Sequence, residues 1–336
     1  AKVVFNNSID KTVLEVERLS QDISLNFKGG LRINSIERTV VMPKSCSQNI
    51  SEESYKLKLL SVLGLKKHID SKEGLPIVGI FEKNINKDHY EFCDSAGSGS
   101  FGVCNWNVES CTHRELSQKS LSDHGTHIAG LIGARENGQG MVGVSPNSHL
   151  QLYPSSTAEL AKKISEAGKD RVGIANMSFE FDHKHNLKSA IDNSIIERMT
   201  TQVDTLFVVA AGDYDPPSSQ IELTRNGRCA VLPVCVSFLP NIISVTALNS
   251  QQESLVPGSR WGKEIVDIAV LGQDLYGPVD GNGFYASSSG TSQATAIITG
   301  AASLYKSIYS DAYPDEIKER LIYTSDLDLI SLENKV

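Results

Sequence analysis

Short apolar runs alternate with longer amphipathic segments along the chain. The runs are rich in β-branched residues and apolar at consecutive positions, a pattern typical of strands buried on both faces. They lie at 76–82, 149–153, 173–179, 205–212, 241–248 and 266–272. The helical segments between them lie at 124–136, 157–169, 188–200, 289–308 and 313–325. This alternation predicts an α/β fold: a three-layer, doubly wound, mostly parallel sheet with helices on both faces.

The first 50 residues are mostly polar and do not share this alternation. We therefore expect a separate N-terminal segment at 1–50 and the main domain at 51–336. Ser51 is followed by two glutamates, which predicts a helix start because a serine cap and carboxylates both stabilise the positive end of a helix. The polar residues near the N-terminus do not fit the apolar core of a signal peptide.

Composition argues against several classes of protein. The chain has 336 residues, of which 40% are hydrophobic, enough to bury a large core without metal ions. Its net charge of -8 argues against a nucleic-acid partner, since phosphate binding needs clustered Lys and Arg. The most apolar region, 230–248, is interrupted by Pro233 and Pro240, so no membrane span is expected.

The cysteines bear on the compartment. All six lie in segments with the composition of loops, and none has the paired spacing of a zinc site. They are Cys46, Cys93, Cys104, Cys111, Cys229 and Cys235. An even number of such cysteines favours three disulfide bonds and hence a secreted or periplasmic protein. Buried, reduced cysteines in a cytosolic protein are the alternative.

Two motifs carry candidate chemistry. In SDHGTHIAGLIGA, at 122–134, His124 stands at the entry of a predicted helix, where it could also be only a cap or a surface residue. In SSSGTSQATAIITGAASL, at 287–304, Ser292 lies just inside a helix start. The free N–H groups and the positive end of the helix dipole favour a developing negative charge there. The alternative is a core helix of small residues with Ser292 as a cap.

The two motifs in this order, with the strands and helices between them, resemble the subtilisin-like serine protease (subtilase) family. The segments GVSPNSHLQLY, NMSF and FVVAAG add to the resemblance. It implies a hydrolase that cleaves peptide bonds through an acyl-enzyme, with His124 as general base and Ser292 as nucleophile. It also implies that 51–336 is the catalytic domain and that 1–50 is an extension or a remnant of an inhibitory prosegment. His127, the second histidine of the motif, is expected to be structural.

The resemblance further implies where a protein or peptide substrate would bind, along one strand and against one wall of a specificity pocket. The expected residues are Ser178, Phe179, Glu180, Ala210, Ala211 and Gly212. Glu180 and Asp215 could favour a basic side chain at the P1 position, or could equally be solvated loop charges. Structural calcium, common in the family, is possible, although no Asp-rich loop indicates a site.

The chain departs from the family pattern at the catalytic acid. The family has Asp at the end of the first buried strand, followed by Thr or Ser and then Gly; this chain has Glu82, Lys83 and Asn84. Glu can orient an imidazole through its Nδ1–H as Asp does, so Glu82 is the expected acid. The competing acids are Asp88, Asp94 and Asp123.

A second departure concerns the oxyanion. Where the family has an Asn whose amide donates a hydrogen bond, this chain has Asp213. An ionised carboxylate would repel the oxyanion, whereas a protonated one could donate to it beside the N–H of Ser292. Burial would raise the pKa of Asp213 in that direction. The leading hypothesis is a serine endopeptidase; a pseudoprotease that binds a peptide or protein partner in the cleft is the alternative, and a ligase or esterase on the same scaffold is a third.

Overall fold

The computed structural model describes residues 75–93, 98–103, 114–115, 124–137, 140–182, 190–214, 223, 231–251, 254–280 and 284–325. It also describes two short strands, β1 (Glu37–Thr39) and β2 (Lys56–Lys58), which pair antiparallel across the expected boundary at residue 50. The helix expected from Ser51 is therefore wrong over β2, where the partner strand supplies the backbone hydrogen bonds that a helix would have made internally. The rest of segment 1–50 lies outside the described residues.

The remaining elements alternate as the apolar pattern predicts. The strands are β3 (Ile77–Glu82), β4 (Ser98–Gly99), β5 (Gly102–Val103), β6 (Arg114–Glu115), β7 (His149–Pro154), β8 (Ile174–Met177), β9 (Phe181–Asp182), β10 (Leu206–Ala210), β11 (Val231–Leu232), β12 (Ile242–Leu248), β13 (Ile268–Leu271), β14 (Leu275–Pro278) and β15 (Phe284–Ser288). The helices among the described residues are α1 (His124–Gly133), α2 (Leu160–Lys169), α3 (Ala190–Thr201), α4 (Thr291–Ile308) and α5 (Pro314–Tyr323).

A six-stranded sheet forms the middle layer, with the spatial order β13-β12-β10-β8-β3-β7. Every neighbouring pair in it is parallel, and its strands are the six apolar runs of the sequence. Successive side chains of a strand enter different cores: Val78 and Ile80 belong to one, and Phe81 belongs to the other. The first core also takes residues of α1, α4 and α5, and the second takes residues of α2 and α3. The predicted three-layer α/β fold is confirmed.

Helix α4 is buried along most of its length because its residues are small. Thirteen of its positions are buried, and most of these are Ala, Thr, Gly or Ser. At Gly300, an added Cβ would lie 2.4 Å from Cβ of Val144, so a larger residue there would push the helix away from its neighbour. A helix that packs on all sides in this way holds its N-terminal residues in a fixed position against the sheet.

The carboxyl ends of the parallel strands meet at one edge of the sheet, where α/β proteins bind their ligands. Glu82 is the last residue of β3, Ser178 directly follows β8, and Ala210 is the last residue of β10. The N-termini of α1 and α4 bring His124 and Ser292 to these strand ends, as the contacts below show. The fold therefore collects the residues of both sequence motifs at one edge.

Candidate active site

Glu82 and His124 form a hydrogen-bonded pair. Oε1 of Glu82 lies 2.8 Å from Nδ1 of His124, and the two side chains are 10% and 27% exposed, respectively. A carboxylate only accepts hydrogen bonds, so Nδ1 carries the proton in this pair and the lone pair of a neutral ring lies on Nε2. This is the arrangement in which an imidazole can act as a general base.

Gly125 allows the pair to form. An added Cβ at this position would lie 2.1 Å from the backbone oxygen of Asn84 and 3.1 Å from Cβ of Glu82. The next residue, Thr126, accepts a hydrogen bond from the N–H of Asn86 through its hydroxyl, at 2.9 Å. The start of α1 therefore lies directly on the loop that follows β3, which places His124 within reach of Glu82.

His127 has the surroundings of a structural residue. Its side chain is fully buried, and Nε2 lies 3.0 Å from the carbonyl oxygen of Leu275 and 3.2 Å from that of Ala286. Both neighbours are acceptors, so Nε2 is protonated and ties α1 to β14 and β15. These contacts agree with the structural role expected for His127.

Ser292 is the second residue of α4 and makes a reciprocal contact with Ser178. Its hydroxyl donates to the backbone oxygen of Ser178 at 2.9 Å, and the hydroxyl of Ser178 donates to the backbone oxygen of Ser292 at 2.9 Å. Between the described residues His124 and Ser292 there is no hydrogen bond. The structure thus brings together Glu82 with His124 and Ser292 with Ser178, but not His124 with Ser292.

A buried network orients Ser178. The side-chain amide of Asn176 donates to the hydroxyl of Ser178 at 3.0 Å, and the hydroxyl of Thr299 donates to the amide oxygen of Asn176 at 2.9 Å. The three side chains are buried, so each of these bonds is protected from water. Asn176 lay in the NMSF segment without an assigned role, and nothing in the sequence pointed to Thr299.

Asp213 receives hydrogen bonds from the residue that precedes Ser292. Its Oδ2 accepts from the backbone N–H and from the hydroxyl of Thr291, both at 3.0 Å, and its Oδ1 accepts from the hydroxyl of Ser259 at 3.2 Å. These contacts place a carboxyl group at the positive end of α4.

Two opposing effects act on the pKa of Asp213. Desolvation is the largest and raises it above its ordinary value. The hydrogen bonds from Thr291 and Ser259 and the charge of Arg260 lower it, and the net direction is upward. Asp213 as a whole is nevertheless an exposed residue, so water reaches it and opposes the desolvation that raises its pKa.

Glu180 forms an ion pair with Arg260. Nε of Arg260 lies 3.3 Å from Oε2 of Glu180, and Nη2 donates to Oε1 at 3.4 Å. Sequence reasoning missed Arg260, which stands 80 positions from its partner and in no motif. Asp215, the other acid proposed for a basic P1 side chain, lies outside the described residues.

The other expected substrate-binding residues also lie at the strand ends. Ala210 and Ala211 are buried, and the N–H of Gly212 donates to the hydroxyl of Thr291 at 3.1 Å. The ring of Phe179 packs against that of Phe181, with 5.2 Å between the centroids. The wall at 210–212 therefore contacts the start of α4 through Gly212. The role of these residues in substrate binding stays a prediction.

Of the three competing acids, Asp88 is the one that lies among the described residues. Asp88 is exposed and makes no hydrogen bond or ion pair with His124 within the described part of the chain. Asp94 and Asp123 lie outside the described residues. The role of Glu82 as the acid stays a prediction, with its 2.8 Å contact as support.

The described ranges contain no group of three or more His, Cys, Asp or Glu side chains that could hold a metal ion. Structural calcium therefore stays an untested expectation. Among the same residues, no helix is both long enough and apolar enough to cross a membrane.

The site thus has a carboxylate–imidazole pair at the carboxyl edge of a parallel sheet and a serine at a helix N-terminus, the residue types of a serine hydrolase. The model of the subtilase family matches residues 74–335, and the chain belongs to this family. The match covers the whole parallel sheet and begins after residues 1–50, although it does not test where the domain boundary lies.

Two relatives from bacteria show how far the similarity reaches. A thermostable alkaline protease of Halalkalibacterium halodurans is 30% identical over 221 residues, which are 63% of this chain and 54% of that protein. An intracellular serine protease of Paenibacillus polymyxa is 27% identical over 216 residues, 61% of this chain and 60% of that protein. The chain thus spans 54% and 60% of the length of these relatives.

Solved structures agree on the fold. A cold adapted subtilisin-like serine proteinase superposes with a TM-score of 0.54 at 21% identity, over 79% of this chain and 88% of that chain. S41 psychrophilic protease gives a TM-score of 0.56 at 22% identity, over 74% of this chain and 82% of that chain. At these identities the likeness shows the fold alone.

Proposed function

We propose that this subtilase is a serine endopeptidase that hydrolyses peptide bonds in a protein or peptide substrate. The observation that carries the proposal is the 2.8 Å contact between Oε1 of Glu82 and Nδ1 of His124. It holds the ring in the tautomer that a general base needs, in a chain of a family whose named relatives are proteases.

The reaction begins when the Ser292 hydroxyl turns from the backbone oxygen of Ser178 to Nε2 of His124. His124 takes its proton as Oγ attacks the substrate carbonyl carbon, which forms a tetrahedral oxyanion. Collapse expels the amine, to which His124 returns the proton, and leaves an acyl-enzyme. Water then attacks the ester with His124 again as base, and this releases the acid and restores the Ser292 hydroxyl.

The oxyanion is stabilised by the N–H of Ser292 at the positive end of α4 and by a protonated Asp213. A neutral carboxyl can donate a hydrogen bond, and the raised pKa of Asp213 extends the neutral form to a higher pH than is usual for Asp. The ionised form would oppose the same intermediate. The protonation state of Asp213 therefore controls the rate.

A binding protein built on the same cleft is the second candidate. It is favoured by two observations: the Ser292 hydroxyl is bound to Ser178 rather than to His124, and both Asp213 oxygens accept hydrogen bonds. Against it, catalytic hydrogen bonds are often unmade without substrate, so the first observation does not exclude turnover.

Covalent labelling separates the two candidates. A fluorophosphonate probe reacts only with an activated serine, so we expect labelling of the full chain and its complete loss in Ser292→Ala. Glu82→Gln keeps the shape of the side chain but presents an amide to Nδ1, and we expect labelling about 10⁴-fold slower. Asp88→Asn, the matched control at an exposed acid, should label at the wild-type rate.

A folded sample that shows no labelling between about pH 5 and about pH 9 would favour the binding protein. Labelling that is lost in Asp88→Asn and retained in Glu82→Gln would assign the acid to Asp88.

The compartment is part of the same proposal. We place the protein in the periplasm or outside the cell, with disulfide bonds among its six cysteines. Cys93 and Cys235, the two that are described, are both disulfide-bonded, which is rare under the reducing conditions of the cytosol. One relative is named as intracellular, so secretion is inferred for this chain from its cysteines alone.

A further inference from the structure

We propose that the ion pair between Glu180 and Arg260 narrows the specificity pocket, so that the enzyme selects small, uncharged side chains at P1. The inference rests on the proposed protease function and specifies its substrate class.

The place of the pair follows from the strand ends. The segment after β8 contacts Ser292 through Ser178, and the segment after β10 contacts Thr291 through Gly212, each by hydrogen bonds. Strands β8 and β10 are neighbours in the sheet. The gap between their carboxyl ends therefore opens beside the nucleophile, where the side chain next to the scissile bond has to be placed.

The Glu180 carboxylate fills part of this gap. Its Oε2 lies 1.6 Å from the position that a Cβ on Gly212 would take, and Cδ of Arg260 lies 3.3 Å from the same point. The bare face of Gly212 is thus covered by the head of Glu180 and the stem of Arg260. A large P1 side chain would need the same space.

The gap holds two opposite charges that face each other, the Glu180 carboxylate and the Arg260 cation. The Arg260 side chain is 6% exposed and that of Glu180 is 24% exposed, so water screens their attraction only in part. A basic P1 side chain would meet the cation of Arg260 as well as the carboxylate, and an acidic one would meet the carboxylate of Glu180. A basic P1 side chain was expected because Glu180 was considered without a partner. In the structure Glu180 pairs with Arg260.

The test measures kcat/KM for peptides that differ only at P1, with Ala, Phe, Lys and Glu in that position. For the wild type we expect Ala to be preferred over each of the others by about tenfold or more, the range that pocket fit provides. The full chain is used for every variant, with fluorophosphonate labelling and circular dichroism to establish that each one is folded.

Charge-selective variants give the sharper result. Arg260→Met removes the cation that faces the Glu180 carboxylate, and we expect the ratio of Lys to Ala to rise about tenfold or more. Glu180→Gln removes the negative charge beside Arg260 at nearly constant volume, so the ratio of Glu to Ala should rise by a similar factor. Glu180→Gly combined with Arg260→Ala removes both the carboxylate head and the arginine stem from the gap, and the ratio of Phe to Ala should rise.

Glu166→Gln is the matched control. Glu166 pairs with Lys163 on α2 at 2.8 Å, at the surface of the protein. Removal of this carboxylate should leave the P1 ratios unchanged.

Two different failures can be told apart. A wild type that labels at Ser292 but prefers Lys or Phe, or single variants that label but do not shift in opposite directions, would overturn the pocket proposal alone. Absence of Ser292 labelling in the folded wild type would overturn the protease function and, with it, the pocket proposal.

Discussion

At the scale of single residues, Asp213 replaces the Asn of the subtilase pattern beside the start of α4. Its carboxyl accepts the N–H and the hydroxyl of Thr291, the residue just before the nucleophile. These bonds stabilise the ionised form, while desolvation stabilises the neutral form and prevails. An Asn in the same place would donate at every pH, whereas Asp donates only while it holds its proton.

The sign of the pH effect follows directly. The pKa of Asp213 is raised, so its proton is retained to a higher pH than usual and is lost as the pH rises through that value. We expect kcat of the wild type to fall as the pH rises through the pKa of Asp213. In Asp213→Asn, kcat should stay high over the same range. Above that pKa, kcat of Asp213→Asn should exceed kcat of the wild type by about 10²–10³-fold, the effect of one side-chain donor to an oxyanion. Stopped-flow kinetics with an ester substrate would measure it.

A rate that is flat or rising toward about pH 9, with Asp213→Asn no faster, would contradict this role. Ser259→Ala is a useful companion, because it removes one donor that favours the ionised form. Without this hydrogen bond the pKa of Asp213 should rise further, so Ser259→Ala should stay active to a higher pH than the wild type.

At the scale of elements, the contact between the start of α1 and the end of β3 decides how closely Glu82 approaches His124. Glu has one more methylene than Asp, and the backbone positions must suit its longer reach. The close approach at Gly125 sets those positions, since the oxygen of Asn84 occupies the space of a Cβ. The sequence pattern identified both elements, but not the distance between them.

Gly125→Ala tests this contact. Alanine is the better helix former by about 1 kcal/mol, so in the absence of the contact the change would stabilise α1. We expect instead a loss of about 1–3 kcal/mol from the overlap with Asn84. A shift of His124 by about 1 Å should also cost about 10²-fold in kcat/KM. Denaturant unfolding and peptide hydrolysis measure the two effects.

Gly173→Ala is the control, because an added Cβ there meets only Cβ of Pro76, at 3.7 Å. Equal behaviour of the two variants would show that the approach at Gly125 does not position His124.

At the scale of the whole molecule, the sequence predicts the layers well and the polar pairs poorly. The six buried strands and the helices α1 to α5 were recognisable because burial on one or both faces leaves a periodic apolar pattern. The pairs Glu180–Arg260 and Asp213–Thr291 join residues about 80 positions apart, and periodicity carries no information about them. Glu82 was found because its strand was found; its contact with His124 required coordinates.

Lys318 is a polar residue that joins helix α5 to the sheet layer. Its ammonium lies 3.1 Å from Asp267 and donates to the backbone oxygens of Ser237 and Ile242, at 3.0 and 2.6 Å, which ties α5 to the sheet. Lys318→Met keeps the aliphatic stem but leaves these acceptors without their donor. We expect a loss of about 1–3 kcal/mol in the free energy of unfolding, with unchanged labelling at Ser292.

Lys162→Met provides the comparison, since Lys162 is exposed and only 3.9 Å from Glu166. It should not change the unfolding midpoint. A Lys318→Met protein as stable as the wild type would show that α5 is held by its apolar face alone.

The acceptor that holds the Ser292 hydroxyl in this structure is a main-chain oxygen, that of Ser178. A replacement at position 178 can alter the side chain there but leaves the carbonyl in place. The hydrogen bond that holds the Ser292 hydroxyl therefore depends on the main chain, which every amino acid at position 178 would supply. A substitution at position 178 can therefore change the surroundings of this acceptor but cannot remove it.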